Sequence, residues 1–229
     1  MAIAGNLAAV RRSIAEAAAR SGRSPESVTL VAVTKAVGIE AALEAVKAGA
    51  MDLGESRVQE ARRKHDAIGA GAVWHMIGPL QTNKVKYCPG LFSLIHSLDR
   101  IELIVELSRR FQSAGVVAEG LLEINVSGEP GKSGCAPERA VEILKTAAGL
   151  GGVRIRGVMT VPPYSEDPEN SRQYFRRLRE MSKELASLGL DHVSMDIISA
   201  GMSNDFAVAI EEGSTMVRVG TAIFGERSR

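Results

Sequence analysis

Eight short apolar runs, separated by stretches with helical spacing, constrain this chain more than any other feature. They fall near residues 28–34, 50–53, 73–77, 91–96, 119–126, 154–160, 193–198 and 215–219. Runs this short, bounded by glycine, proline, serine and asparagine, read as strands, and their alternation with helical patterns builds parallel βα units. Such a sheet either closes as an eight-stranded barrel or opens as a doubly wound sheet. The open form carries GxGxxG after its first strand, and the chain has that motif nowhere. The expected fold is therefore α/β, a single (β/α)8 TIM barrel over residues 1–229, with an extra N-terminal helix at about 3–21. No Gly/Ser-rich or Pro-rich linker divides it.

Charge and composition narrow the partners. A formal net charge of +1 with 24% charged residues gives no basic surplus, so neither nucleic acid nor an anionic membrane surface is expected. No stretch approaches the roughly 20 apolar residues of a spanning helix. The N-terminal apolar pattern is broken by Arg11, Arg12 and Glu16, unlike a signal peptide. Cys88 and Cys135 lie far apart without a CxxC pattern, which fits a reducing cytoplasm. His65, His75, His96 and His192 lack metal-ligand spacing and read as structural or surface residues, so no metal site is expected. The arginine-rich run from Arg172 to Arg179 reads as a solvated helix face.

In a βα barrel the chemistry gathers where the strands end. Lys35 closes the run "LVAVTKAV" with apolar neighbours on both sides. It is either a surface lysine just past a strand or an amine in a partly desolvated pocket, where a lone pair becomes available for Schiff-base chemistry. The last two strands lead into "SAGMSND" and "RVGT". Barrels often seat a phosphate there, on backbone N–H groups that glycine leaves accessible. Ser203 or Asn204 is expected to cap a helix beginning near Asp205. Arg218 is the odd residue, a cation inside the apolar run "MVRVGTAIF". "GEPGKSG" lacks the first glycine of a phosphate loop, and "GMSND" has Asp205 where a nucleophile elbow needs glycine.

Six separated motifs, "LVAVTK", "GESRVQEA", "WHMIGPLQTNKV", "INVSGEPGKSG", "RGVMTVPP" and "GMSNDFAVAIEEGSTMVRVGTAIFG", occur in this order. Together they resemble the pyridoxal phosphate homeostasis proteins over nearly the whole chain. The resemblance implies the barrel of the alanine racemase N-terminal domain, with no C-terminal β domain, binding pyridoxal 5′-phosphate (PLP). It implies that Lys35 carries PLP as a Schiff base and that Ser203, Gly220 and Thr221 hold its phosphate. It also implies that Arg218 faces the pyridine nitrogen, with Asn83, Asn125, Met159 and Met202 near the pocket. Two departures stand out. Ser56 replaces the asparagine common in "GEN", and Ala36, Val37 and Gly38 replace the end of "SKTKP", removing a second lysine.

The function implied is non-catalytic, with PLP stored, buffered or delivered to PLP-requiring apo-enzymes in vitamin B6 and amino-acid homeostasis. A monomer or weak dimer is the expected state. The alternatives are a weak PLP-dependent racemase or decarboxylase, for which Lys35 supplies a base on one face only, and a Schiff-base aldolase without PLP, which leaves Arg218 unexplained.

Overall fold

The computed structural model describes residues 3–225. Eight parallel strands among these residues close a barrel in sequence order, each paired with its neighbours and the last with the first. They are β1 (Thr29–Val33), β2 (Asp52–Glu55), β3 (Val73–Met76), β4 (Leu94–Leu98), β5 (Ala118–Glu123), β6 (Val153–Met159), β7 (Val193–Ser199) and β8 (Met216–Val219). Around them lie α1 (Ile3–Arg20), α2 (Ile39–Lys47), α3 (Val58–Ile68), α4 (Ile101–Ser113), α5 (Ala140–Ala148), α6 (Arg172–Ala186), α7 (Phe206–Glu211) and α8 (Thr221–Phe224). A 3-10 turn, Thr82–Tyr87, stands where a helix would follow β3.

The expected barrel and its extra helix α1 are present; two strand positions are corrected, and the fifth strand ends at Glu123 rather than at 126. The second strand lies at Asp52–Glu55, later than 50–53, because its ladder with β1 pairs Val31 with Asp52 and Val33 with Gly54. The fourth runs Leu94–Leu98, since Leu91 and Phe92 are held in a turn by N–H bonds to the Cys88 carbonyl.

Side chains alternate across the strands and divide the core in two. Val31, Leu94, Leu121, Met159 and Met216 form a small cluster inside the barrel, with Ile197 against it. Leu53, Trp74, Ile95, Leu122, Val158 and Val217 belong to the larger cluster between strands and helices. Each such side chain contributes about 1.5–3 kcal/mol when fully buried. At Gly157 a Cβ would lie 1.8 Å from the Ile197 carbonyl oxygen, so only glycine lets β7 pass this close to β6.

Helix α1 buries Leu7, Val10, Ile14, Ala17 and Ala18, a stripe at helical spacing, and packs against α2, α7 and α8. Asn6 donates to the Ile223 carbonyl at 2.9 Å, and Arg23 donates to the Ser214 carbonyl at 2.8 Å. Helix α6 buries Phe175, Leu178, Met181 and Leu185. Its arginine run presents a solvated face, as expected, with Arg176 and Arg177 exposed, and it also pairs with α7. Arg172 and Arg176 each reach Glu212 at 3.1 Å, and Arg172 also reaches Glu211 at 2.7 Å. Two carboxylates at the C-terminal end of α7 oppose its dipole, and the arginines offset that charge.

Candidate functional site

The C-terminal mouth of the barrel brings Lys35, Met159, Met202, Ser203, Arg218, Gly220 and Thr221 to one end of the fold. Half-buried Lys35 follows β1 at a turn closed by the Val37 N–H bond to the Thr34 carbonyl, 2.9 Å. Ala36 completes that turn at φ 60°, a left-handed conformation that costs a non-glycine residue about 1–2 kcal/mol. Beneath it, the buried Lys64 ammonium pairs with the Glu55 carboxylate and donates to the Thr34 carbonyl at 2.6 Å. The Thr34 hydroxyl donates to the same Glu55 oxygen at 2.7 Å, while Glu55 Oε2 is buried with no hydrogen-bond partner among the described residues.

Across the mouth, Gly201 turns the chain out of β7 at φ 96°, where a Cβ would lie 2.8 Å from Phe206 Cα. The turn is closed by Asp205, whose carboxylate accepts from the Met202 N–H at 2.7 Å. Ser203 does not cap α7, as the sequence suggested. Its hydroxyl oxygen accepts from the Gly220 and Ala222 N–H groups, 3.2 and 3.3 Å away, and so sits where two backbone donors from the β8 loop converge. Asn204 points elsewhere, donating to the Ser165 carbonyl at 2.9 Å.

Arg218 is buried on β8. One guanidinium nitrogen donates to Ser199 Oγ at 2.5 Å and another to the Thr160 carbonyl at 2.9 Å. Burial pushes its pKa down to about 10, against the opposing pull of Glu123 and Asp205, so it remains a cation at neutral pH. Glu123, buried at the end of β5, moves the other way. Desolvation, then the charge of Asp99, raises its carboxyl to about 7, although Arg218 pulls it down.

Two expected residues stand differently. Asn125 spends its side chain on its own loop, donating to the Glu129 carbonyl at 3.0 Å and accepting from Ser127 Oγ and the Gly128 N–H. Asn83 is exposed on the 3-10 turn after β3. Sequence reasoning gave no role here to Asp52, His75 or Glu123. The inward parity of these strand positions was the available signal. Among the described residues no group of His, Cys, Asp and Glu could hold a metal ion, and no helix is long and apolar enough to cross a membrane.

The mouth thus combines a primary amine, two converging amides beside a hydroxyl, and a buried guanidinium. These are donors for an aldehyde, an anion and an aromatic nitrogen respectively.

Comparison with known proteins gives a consistent picture. The family described as alanine racemase, N-terminal domain, matches residues 5–228. A pyridoxal phosphate homeostasis protein from Aquifex aeolicus is 44% identical over 225 residues, with 96% of each chain covered. Its namesake from Escherichia coli is 41% identical, covering 98% of this chain and 97% of the other. Among solved structures, PipY of Synechococcus elongatus with PLP bound superposes with a TM-score of 0.85 at 32% identity, covering 97% of this chain and all of PipY. An alanine racemase from Clostridium difficile, 17% identical with a TM-score of 0.77, shares the fold over 57% of its length. With identities above 40% along almost the entire sequence, the chain belongs to the pyridoxal phosphate homeostasis protein family, built on the alanine racemase N-terminal barrel.

Proposed function

We propose that the barrel mouth binds PLP and that the protein holds, buffers and hands on this cofactor without turning over a substrate. The observation that carries this reading is the pairing of Arg218, a cation buried and braced from behind, with the Gly220 and Ala222 amides converging one turn further along the same strand exit. Lys35 would hold the aldehyde carbon covalently. Ser203, Gly220 and Thr221 would take the phosphate, Arg218 the ring nitrogen, and Met159 and Met202 would flank the ring, while Asn125, committed to its own loop, and exposed Asn83 are not assigned a contact with it. Family membership supports the same assignment.

Bound there, the cofactor supplies an aldehyde for reversible imine exchange with amines. Arg218 then limits what else the site can do. A permanent cation facing the ring nitrogen disfavours its protonation, which weakens the ring as an electron sink. That argues against racemisation or decarboxylation and for storage and delivery to PLP-requiring apo-enzymes in vitamin B6 and amino-acid homeostasis. We place the protein in the cytoplasm, as a monomer or weak dimer whose residues 1–229 act as one cofactor-binding unit.

The test is the visible spectrum of purified protein before and after borohydride reduction, followed by peptide mass spectrometry. The expected result is a band lost on reduction and a pyridoxyl mass on Lys35, both absent in Lys35→Ala, which still folds. A protein that takes up no added PLP, or a modification on another lysine, overturns the assignment.

A further inference from the structure

Five polar residues inside the barrel form one continuous chain. Asp52 Oδ1 lies 3.0 Å from His75 Nε2, and His75 Nδ1 lies 3.0 Å from His96 Nε2. His96 Nδ1 lies 3.0 Å from Ser199 Oγ, which accepts from Arg218 at 2.5 Å. The chain crosses β2, β3, β4, β7 and β8. Asp52 opens β2 at the N-terminal rim, where its side chain is 28% exposed and lines a surface pocket with Thr29, Leu30 and Met51. His75, His96, Ser199 and Arg218 are all buried.

Chemistry constrains the direction of the links. A guanidinium only donates, so Ser199 Oγ is an acceptor toward Arg218 and has one proton left to give. His96 is neutral, its pKa well below the ordinary value because burial and the neighbouring His75 and Arg218 all disfavour the imidazolium. If His96 carried its proton on Nδ1, that N–H would point at Ser199, and His75 would have to donate from Nδ1. With a single ring proton, His75 would then turn a bare Nε2 to the Asp52 carboxylate, lone pair against lone pair, and only a second proton on His75 would relieve it. The opposite arrangement satisfies each atom. Ser199 donates to His96 Nδ1, His96 Nε2–H donates to His75 Nδ1, and His75 Nε2–H donates to the Asp52 carboxylate.

We infer that His75, His96 and Ser199 are positioning residues that hold Arg218 for the cofactor, with Asp52 at the opposite rim as the acceptor that sets the direction of the whole relay. Each link requires the one before it. Asp52 selects the His75 tautomer, His75 selects that of His96, and His96 takes the Ser199 proton, leaving the hydroxyl oxygen to receive Arg218. The buried arginine is thereby held on the β7 side while the Thr160 carbonyl holds it on the β6 side, with Glu123 and Asp205 supplying the surrounding negative charge. This rests on the placement of Arg218 at the cofactor ring.

The test has two arms. In the cofactor-free protein, nitrogen NMR of the imidazoles should show both His75 and His96 protonated at Nε2, and Asp52→Ala should shift the nitrogens of His96, a residue it does not touch. In the PLP-loaded protein, Asp52→Ala and Ser199→Ala should each release cofactor about tenfold faster, the scale of one lost charge-assisted hydrogen bond. Asp52→Asn, which keeps an acceptor oxygen, should restore most of the retention. An Nδ1–H tautomer at His96, or a His96 signal and a release rate both unmoved by Asp52→Ala, overturns the relay. Unchanged release in Arg218→Ala, with the tautomers as stated, instead removes the cofactor from Arg218, and the relay then positions nothing.

Discussion

The two sides of the barrel mouth are held in place by different means. On the β7–β8 side, Ser203 reaches two amides, Asp205 closes the Met202 turn, α1 holds the Ile223 carbonyl through Asn6, and two carboxylates on α7 and its end answer the arginines of α6. On the β1–β2 side, the strand end that presents Lys35 rests on one buried ion pair, Lys64 with Glu55, supplemented by the Thr34 hydroxyl. The first arrangement spreads its stabilisation over many bonds, several of them partly exposed and individually weak. The second concentrates it in one desolvated pair, where loss of either partner strands a charge.

That contrast predicts unequal responses to substitution. Glu55→Gln leaves the Lys64 ammonium buried beside a neutral amide and should lower stability by roughly 3 kcal/mol, the cost of breaking a buried pair. Denaturant titration measures it, and a loss below about 1 kcal/mol would mean water or movement rescues Lys64. Ser203→Ala should lower stability by only about 1 kcal/mol, because the amides it leaves gain access to water, yet slow-release assays should show about tenfold weaker PLP retention. An equal stability loss at both positions would erase the distinction between the two sides.

A response to pH rather than to truncation is expected between them, at Glu123. Its carboxyl titrates near 7 in the folded protein against an ordinary value of 4.5. The folded state therefore binds the proton more tightly, and stability should fall as the pH rises from about 4.5 through about 7, with no contribution to the slope outside that window. Glu123→Gln should flatten the slope there, as followed by melting temperature against pH. An unchanged slope would assign it to another group.

Much of the barrel was legible because strands and helices leave periodic marks on neighbouring residues. Lys35, Arg218 and the Gly220–Thr221 pair were legible for the same reason, each sitting at a strand exit where its chemistry contrasts with an apolar run. What the sequence withheld was partnership across long separations. Gly54 and Glu55 resemble a loop until the ladders with β1 and β3 draw them into a strand. Ser203 stands three residues before α7 and reads as its cap, but its partners lie on the next strand exit. His96 and Ser199 are 103 residues apart and meet only because both strands turn those side chains inward. Glu211 and Glu212 meet Arg172 by the same kind of closure, so a solvated run also holds α7.

Barrel closure also fixes an order of events during synthesis. β1 is complete early, but its outer edge stays unpaired until Met216–Val219 arrives to form the ladder from Thr29 to Ala32. Gly220 follows at once. On the proposed assignment, the anion seat of Ser203, Gly220 and Thr221 is complete only once that last edge is covered. Cofactor uptake on the ribosome or during refolding would report that final closure and nothing earlier.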